Sequence, residues 1–152
     1  MCLGHSVSHH GHYLPDKHYI QDETNKEEVL TFTKYDVIFL LAGISISFYF
    51  IAMLIHSLFN LQFTYLPQEA IGATIAILLY YIAYEGLHVI MHVPNKARWL
   101  RNTIFMKWLN RHHYQHHLTP NMNLNVIVPL ADYIFGTKRS LPKEKYIYAD
   151  AF

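Results

Sequence analysis

Cysteine is almost missing from this chain: Cys2 stands alone in 152 residues. That excludes a disulfide framework and a metal cluster held by thiolates. Charge is sparse too, with Asp, Glu, Lys and Arg making up 15% of the residues, while 52% are hydrophobic. Such a chain is lean in charge for a soluble domain and too apolar to stay disordered. The formal net charge is only +1, and no basic stripe interleaves with aromatic residues, so nucleic acid is not an expected partner. Met1 to His18 are polar, without the apolar run of a signal peptide. No internal repeat and no low-complexity linker occurs. The abundant residue is histidine, whose twelve copies equal all Lys and Arg together.

Two apolar runs organise the middle of the chain. Val37 to Phe59 contains 23 residues without a Lys, Arg, Asp or Glu. As a helix it would reach roughly 34 Å, enough to cross a hydrocarbon core of about 30 Å. A second run begins at Ala70 and continues through Glu85 to His92; its shorter apolar part also suits a buried core helix. The link from Asn60 to Glu69 has no Lys or Arg, and all twelve basic residues lie before Val37 or after Val93. By the positive-inside rule the link is external and both tails are cytoplasmic. The expected fold is therefore all-α and a single domain spanning 1–152. A membrane hairpin (spans about 37–59 and 70–92) carries a cytoplasmic helical cap (1–36 and 94–152). Within the cap, Pro94 should end the second span, an amphipathic helix should run from about Ala97 to Leu118, and Val126 to Gly136 should form an apolar loop.

Eight histidines fall into three groups: His5, His9 and His10; His88 and His92; and His113, His116 and His117. On a helix, residues at i and i+4 share a face, while adjacent residues diverge by about a hundred degrees. His88 and His92 thus point together, and His116 and His117 can reach two different ions. His88 lies roughly 25 Å along the second span from Ile71, near its inner boundary, where all three groups can converge. They are the expected metal ligands. Glu85 shares a stripe with Tyr81, His88 and His92 and sits within the hydrocarbon boundary, where an ionisable group is costly. It either orients a ligand imidazole or pairs with Arg98 or Arg101. His56 reads as an ordinary polar or capping residue; His12, His18 and His112 fit either an ordinary role or a ligand.

Imidazole sites suit Zn, Fe, Cu or Ni, and eight ligands exceed the needs of one ion, so two are expected. Zinc would imply hydrolysis or structure; a redox metal pair at a membrane face would suit O2 activation against a lipid C–H bond. A metal transporter would place its ligands near the midplane, and a b-type haem would need only one facing histidine pair.

The motifs Tyr84-Glu85-Gly86-Leu87-His88-x3-His92-Val93-Pro94, Arg111-His112-His113-Tyr114-Gln115-His116-His117 and Asn125-Val126-x2-Pro129-Leu130-x-Asp132-x2-Phe135-Gly136-Thr137 resemble the closing half of the fatty acid hydroxylase/sterol desaturase superfamily. The head, His5-x3-His9-His10-Gly11-His12-Tyr13, resembles that family's second histidine box, so the similarity covers nearly the whole chain. It implies two iron ions (zinc is possible in purified protein), O2 and a lipid substrate such as a fatty acid, sphingolipid or sterol. The PLxDxxFGT ending leans away from the carotenoid hydroxylases. With no haem, flavin or iron–sulfur motif in the chain, electrons would come from a separate donor. Family members carry an earlier HxxxH box on an upstream hairpin, which this sequence does not contain. A fragment or short form is therefore expected, unable to turn over at a normal rate; the alternative is a truncated or degenerate family member that binds metal such as zinc without catalysis, and a second copy of the chain could cover exposed faces of the hairpin.

The topology is tested by cysteine labelling at Gln62 and Lys143 in a Cys2→Ser background. In intact cells the two positions should differ in accessibility, and equal labelling would exclude the hairpin orientation.

Overall fold

Helix is the only regular structure that the described residues form. The computed structural model describes residues 9–15, 19–21, 34–59, 61, 68–93 and 95–150. In chain order the helices are α1 (His10–His12), α2 (Lys34–Leu58), α3 (Gln68–His92), α4 (Arg98–Arg101), α5 (Ile104–Leu118), α6 (Leu130–Ile134) and α7 (Tyr146–Ala149), with a 3-10 turn at Lys143–Lys145 before α7. They belong to two units, one covering Phe32–Ala83 and the other Met1–Thr31 with Tyr84–Phe152.

The first unit contains α2 and the beginning of α3. Both helices are long and apolar enough to cross a membrane, and almost none of either apolar stretch is buried. Phe39, Phe50, Leu58 and Leu79 are all exposed, whereas a core helix of a soluble protein would be covered by its neighbours. Two serine hydroxyls bond back into their own helix: Ser45 donates to the Leu41 carbonyl at 2.6 Å and Ser47 to that of Gly43 at 2.8 Å. Thr74 lies 3.0 Å from Ser45 and 2.8 Å from the Ala70 carbonyl, joining the helices through a polar contact. Such internal satisfaction is what an environment without water demands. His56 stands 3.7 Å from Glu69, in keeping with its reading as an ordinary polar residue.

The second unit is organised around α5. The helix expected from about Ala97 to Leu118 is broken in two, because Thr103 turns its hydroxyl to the backbone. It accepts the Met106 N–H at 3.2 Å as the N-cap of α5 and donates to the Leu100 carbonyl at 2.7 Å. One side of α5 buries Met106 and Leu109 against Met91 near the end of α3 and against Val126 and Ile127. Another side places Tyr114 against Tyr19, Leu141 and Ala149. Each fully buried apolar side chain of this size contributes about 1.5–3 kcal/mol. α3 ends at His92, as expected, although Pro94 lies outside the described residues.

The apolar ending differs from the expected irregular loop. Pro129 precedes the short helix α6 rather than excluding helix from the segment, since a proline lacks only an N–H that a helix start leaves unbonded anyway. Fully buried Asp132 closes the loop: Oδ1 accepts from the Leu124 N–H at 2.8 Å and the Thr137 hydroxyl at 2.6 Å, and Oδ2 from the Asn125 N–H at 2.9 Å. Burial pushes this carboxyl up, but the bonds from Thr137, Asn125 and Leu124 outweigh it and hold the group below its ordinary value. Gly136 follows α6 with φ 69°, a left-handed conformation that favours glycine. Arg111 pairs with Asp150, not with Asp132.

Asp132→Asn would set an amide NH2 or a weaker acceptor against these donors. A loss of about 1–3 kcal/mol is expected, read as a lower midpoint of thermal unfolding in detergent, with little change in metal content. A larger effect on metal than on stability would contradict this clasp.

Candidate metal centre

Three helices deliver the histidines to one buried place in the second unit. His88 and His92 share a face at the end of α3; His113, His116 and His117 occupy the last turns of α5; His9 and His10 lie at α1. His9, His88, His92, His113 and His117 each offer a ring nitrogen, and these atoms all lie within 4.8 Å of one another. The Nε2 atoms form a chain from His88 to His9 (3.1 Å), His117 (3.1 Å), His113 (3.1 Å) and His92 (3.0 Å). All five rings are buried.

Hydrogen bonding alone does not account for this crowding. Each Nε2 of a neutral imidazole has either one proton or one lone pair in the ring plane. Five such atoms in a chain therefore make at most two good hydrogen bonds, yet four close contacts link them. Backbone carbonyls narrow the choice further. His92 donates its Nδ1–H to the Tyr19 carbonyl at 2.5 Å, and His117 donates to that of Tyr13 at 2.8 Å. With the proton on Nδ1, each Nε2 turns a lone pair toward the centre. Burial, followed by the neighbouring histidines, holds His113 and His117 well below the ordinary histidine value and so keeps them neutral. Ligands about 2.0–2.1 Å from an ion stand roughly 3 Å apart when adjacent, close to the observed spacings. The cluster could hold a metal ion.

A second pairing lies beside the first. His10 Nε2 is 3.0 Å from His116 Nε2, and His116 donates its Nδ1–H to the Met122 carbonyl at 2.8 Å. The adjacent pairs His9–His10 and His116–His117 are both divided: one member of each joins the five-histidine group and the other joins this pair. The divergence of neighbouring side chains on a helix produces that division.

Seven of the eight sequence-predicted ligands are thus brought into these two groups, while His5 lies outside the described residues. His18 and the side chain of His12 also lie outside them. His112 is buried but separate: its Nε2 donates to the Asn125 carbonyl at 3.1 Å and lies 3.6 Å from Asp132. Glu85 is half-buried one turn before His88; His92, His116 and His117 are oriented by the carbonyls of Tyr19, Met122 and Tyr13.

Sequence reasoning missed those carbonyls of Tyr13, Tyr19 and Met122, because any residue type can supply one. It also missed how the head is tied down. The Gln21 N–H donates to the His92 carbonyl at 2.6 Å, and Tyr19 donates its hydroxyl to Asn110 at 2.7 Å. Asn110 in turn donates to the Ala149 carbonyl. The rings of Tyr13 and Tyr19 each stand 4.7 Å from that of His92, covering the cluster. No protein-family model matches the chain, and neither does a curated protein or a solved structure.

Replacing His88 or His113 by Ala should weaken metal binding by at least about tenfold, since even loss of an orienting partner costs that much. His56→Ala and His112→Ala should leave the metal-to-protein ratio unchanged. Elemental analysis of detergent-purified variants makes the comparison, and equal metal in all four would remove the cluster as a metal site.

Proposed function

We propose that this chain carries the metal centre of a membrane-embedded, O2-dependent oxidoreductase that hydroxylates or desaturates a lipid. The observation that carries the reading is the buried convergence of five imidazole nitrogens next to a second histidine pair. His9, His88, His92, His113 and His117 would hold one iron ion, and His10 and His116 would contribute to a second. When bound, the metal pair would supply the redox chemistry that O2 needs to attack an unactivated C–H bond.

The protein's own groups do the remaining work. Tyr13 and Tyr19 orient His117 and His92 through their carbonyls and cover the cluster with their rings. The apolar packing of Met91, Met106 and Leu109 supports α3 against α5, and so the separation of His88 and His92 from His113 and His117. Glu85 is proposed to steady the histidine face of α3. In hydroxylation, R–H, O2, two electrons and two protons give R–OH and water. A separate donor protein would supply the electrons. The exposed apolar faces of α2 and α3 support a membrane location, and the distribution of Lys and Arg supports a cytoplasmic site.

A second reading is a metal-binding protein, holding zinc for example, that does not turn over. The observation favouring it is the uneven ligand supply among the described residues, five histidines on one side and two on the other. An upstream hairpin bearing HxxxH, as the resemblance expects, would supply the weaker side.

The test compares the 152-residue chain with a version extended by such a hairpin. Each is assayed for iron and zinc, and for O2- and reductant-dependent products from lipid extracts by mass spectrometry. More iron per chain and a clear gain of product are expected in the extended form. Zinc in both forms without product would favour the second reading; full activity of the shorter form would show that its own histidines suffice.

A further inference from the structure

Away from the histidine centre, the second unit contains a cavity of about 100 Å³ with an unusual lining. Trp108, Arg111 and His112 reach it from α5, Lys138 and Arg139 from the segment after α6, and Tyr146 from α7. Three of these six residues are cationic. Arg111 is locked in place: Nε and Nη2 donate to Asp150, and its guanidinium lies 3.9 Å over the Tyr146 ring. Asp150 engages only that edge of the guanidinium, leaving the Nη1 donors for another acceptor.

Lys138 and Arg139 have no acidic partner among the described residues. The Lys138 ammonium stands 5.0 Å from the Tyr133 ring centre. The backbone at Arg139 is pinned on both sides by Asn123, whose Oδ1 accepts the Arg139 N–H at 2.7 Å and whose Nδ2 donates to the Arg139 carbonyl at 2.9 Å. His112 is occupied by the Asn125 carbonyl and forms a wall, with its ring stacked 6.1 Å from Trp108. Positive charge therefore collects around a small space: three cations line it, Asp150 engages one of them, and Asp132 lies behind His112 with its oxygens bonded to Leu124, Asn125 and Thr137.

We infer that this cavity binds a phosphate group. Two guanidinium groups and an ammonium present many donors from several directions, which suits a compact dianion with several acceptor oxygens. The cavity has room for a phosphoryl group. Free phosphate and the phosphate of a lipid headgroup share this chemistry. The inference does not rest on the metal reading.

Isothermal titration of the full chain in neutral detergent tests it, using inorganic phosphate, dihexanoyl phosphatidic acid and dihexanoyl phosphatidylcholine. Saturable binding of inorganic phosphate would identify a free-phosphate site; saturation by phosphatidic acid alone would identify a headgroup site. Phosphatidylcholine, whose phosphate is shielded by its choline, should bind weakly. Lys138→Gln and Arg139→Gln should each weaken binding by about tenfold or more, the scale of one charge-assisted hydrogen bond, and Arg139→Lys should restore part of the loss. These side chains are not buried, so unchanged helical circular dichroism is expected of the variants. No saturation by either phosphate probe, or equal affinity in the double Gln variant, would overturn the inference. Repeating the titration after EDTA separates the two centres: affinity should persist, and its loss would place phosphate on the metal and also overturn the inference.

Discussion

Five imidazole nitrogens cannot occupy so small a volume unless their protons point elsewhere, and for two of the five rings the backbone arranges that. The carbonyls of Tyr13 and Tyr19 take the Nδ1 protons of His117 and His92, fixing both ring orientation and tautomer. Much of the second unit serves this constraint. Asn110 holds Tyr19, Gln21 holds the end of α3, and the two apolar clusters on α5 keep the histidine faces opposed. Each hydrogen bond is modest, about 1 kcal/mol net, but together they preorganise the donors that an ion would otherwise have to order.

The same unit shows a division of labour among residues that look alike in sequence. His112 and His113 are neighbours, yet one faces the Asn125 carbonyl and the other the cluster. Asp132 and Asp150 are both near arginine or histidine, yet Asp132 holds a loop shut while Asp150 fixes Arg111. Residue type sets the available chemistry, and the angle at which a helix presents the side chain decides its use.

The long helices were legible because a run without charge has a length and a period that can be read directly; α2 and α3 begin and end within a few residues of the expected spans. The histidine spacing likewise foretold which neighbours would separate. The break between α4 and α5 was harder to read, since it depends on a threonine choosing the backbone over solvent. The short helix α6 and the closing turns around α7 depend on contacts distant in sequence, such as Asn110 with Ala149. Carbonyl acceptors were invisible for a simpler reason: every residue has one.

Tyr13 and Tyr19 belong to the head, while the histidines they orient belong to α5 and α3. Docking of these two residues and any occupancy of the centre by an ion would therefore be linked. An ion bound at a hundred times its dissociation constant would add about 2.7 kcal/mol to the ordered form, and that stabilisation would extend to a segment of chain that need not supply every ligand itself. Metal supply would then act as a folding signal: the availability of the ion would set how much of the head is docked, and hence how long it withstands proteolysis.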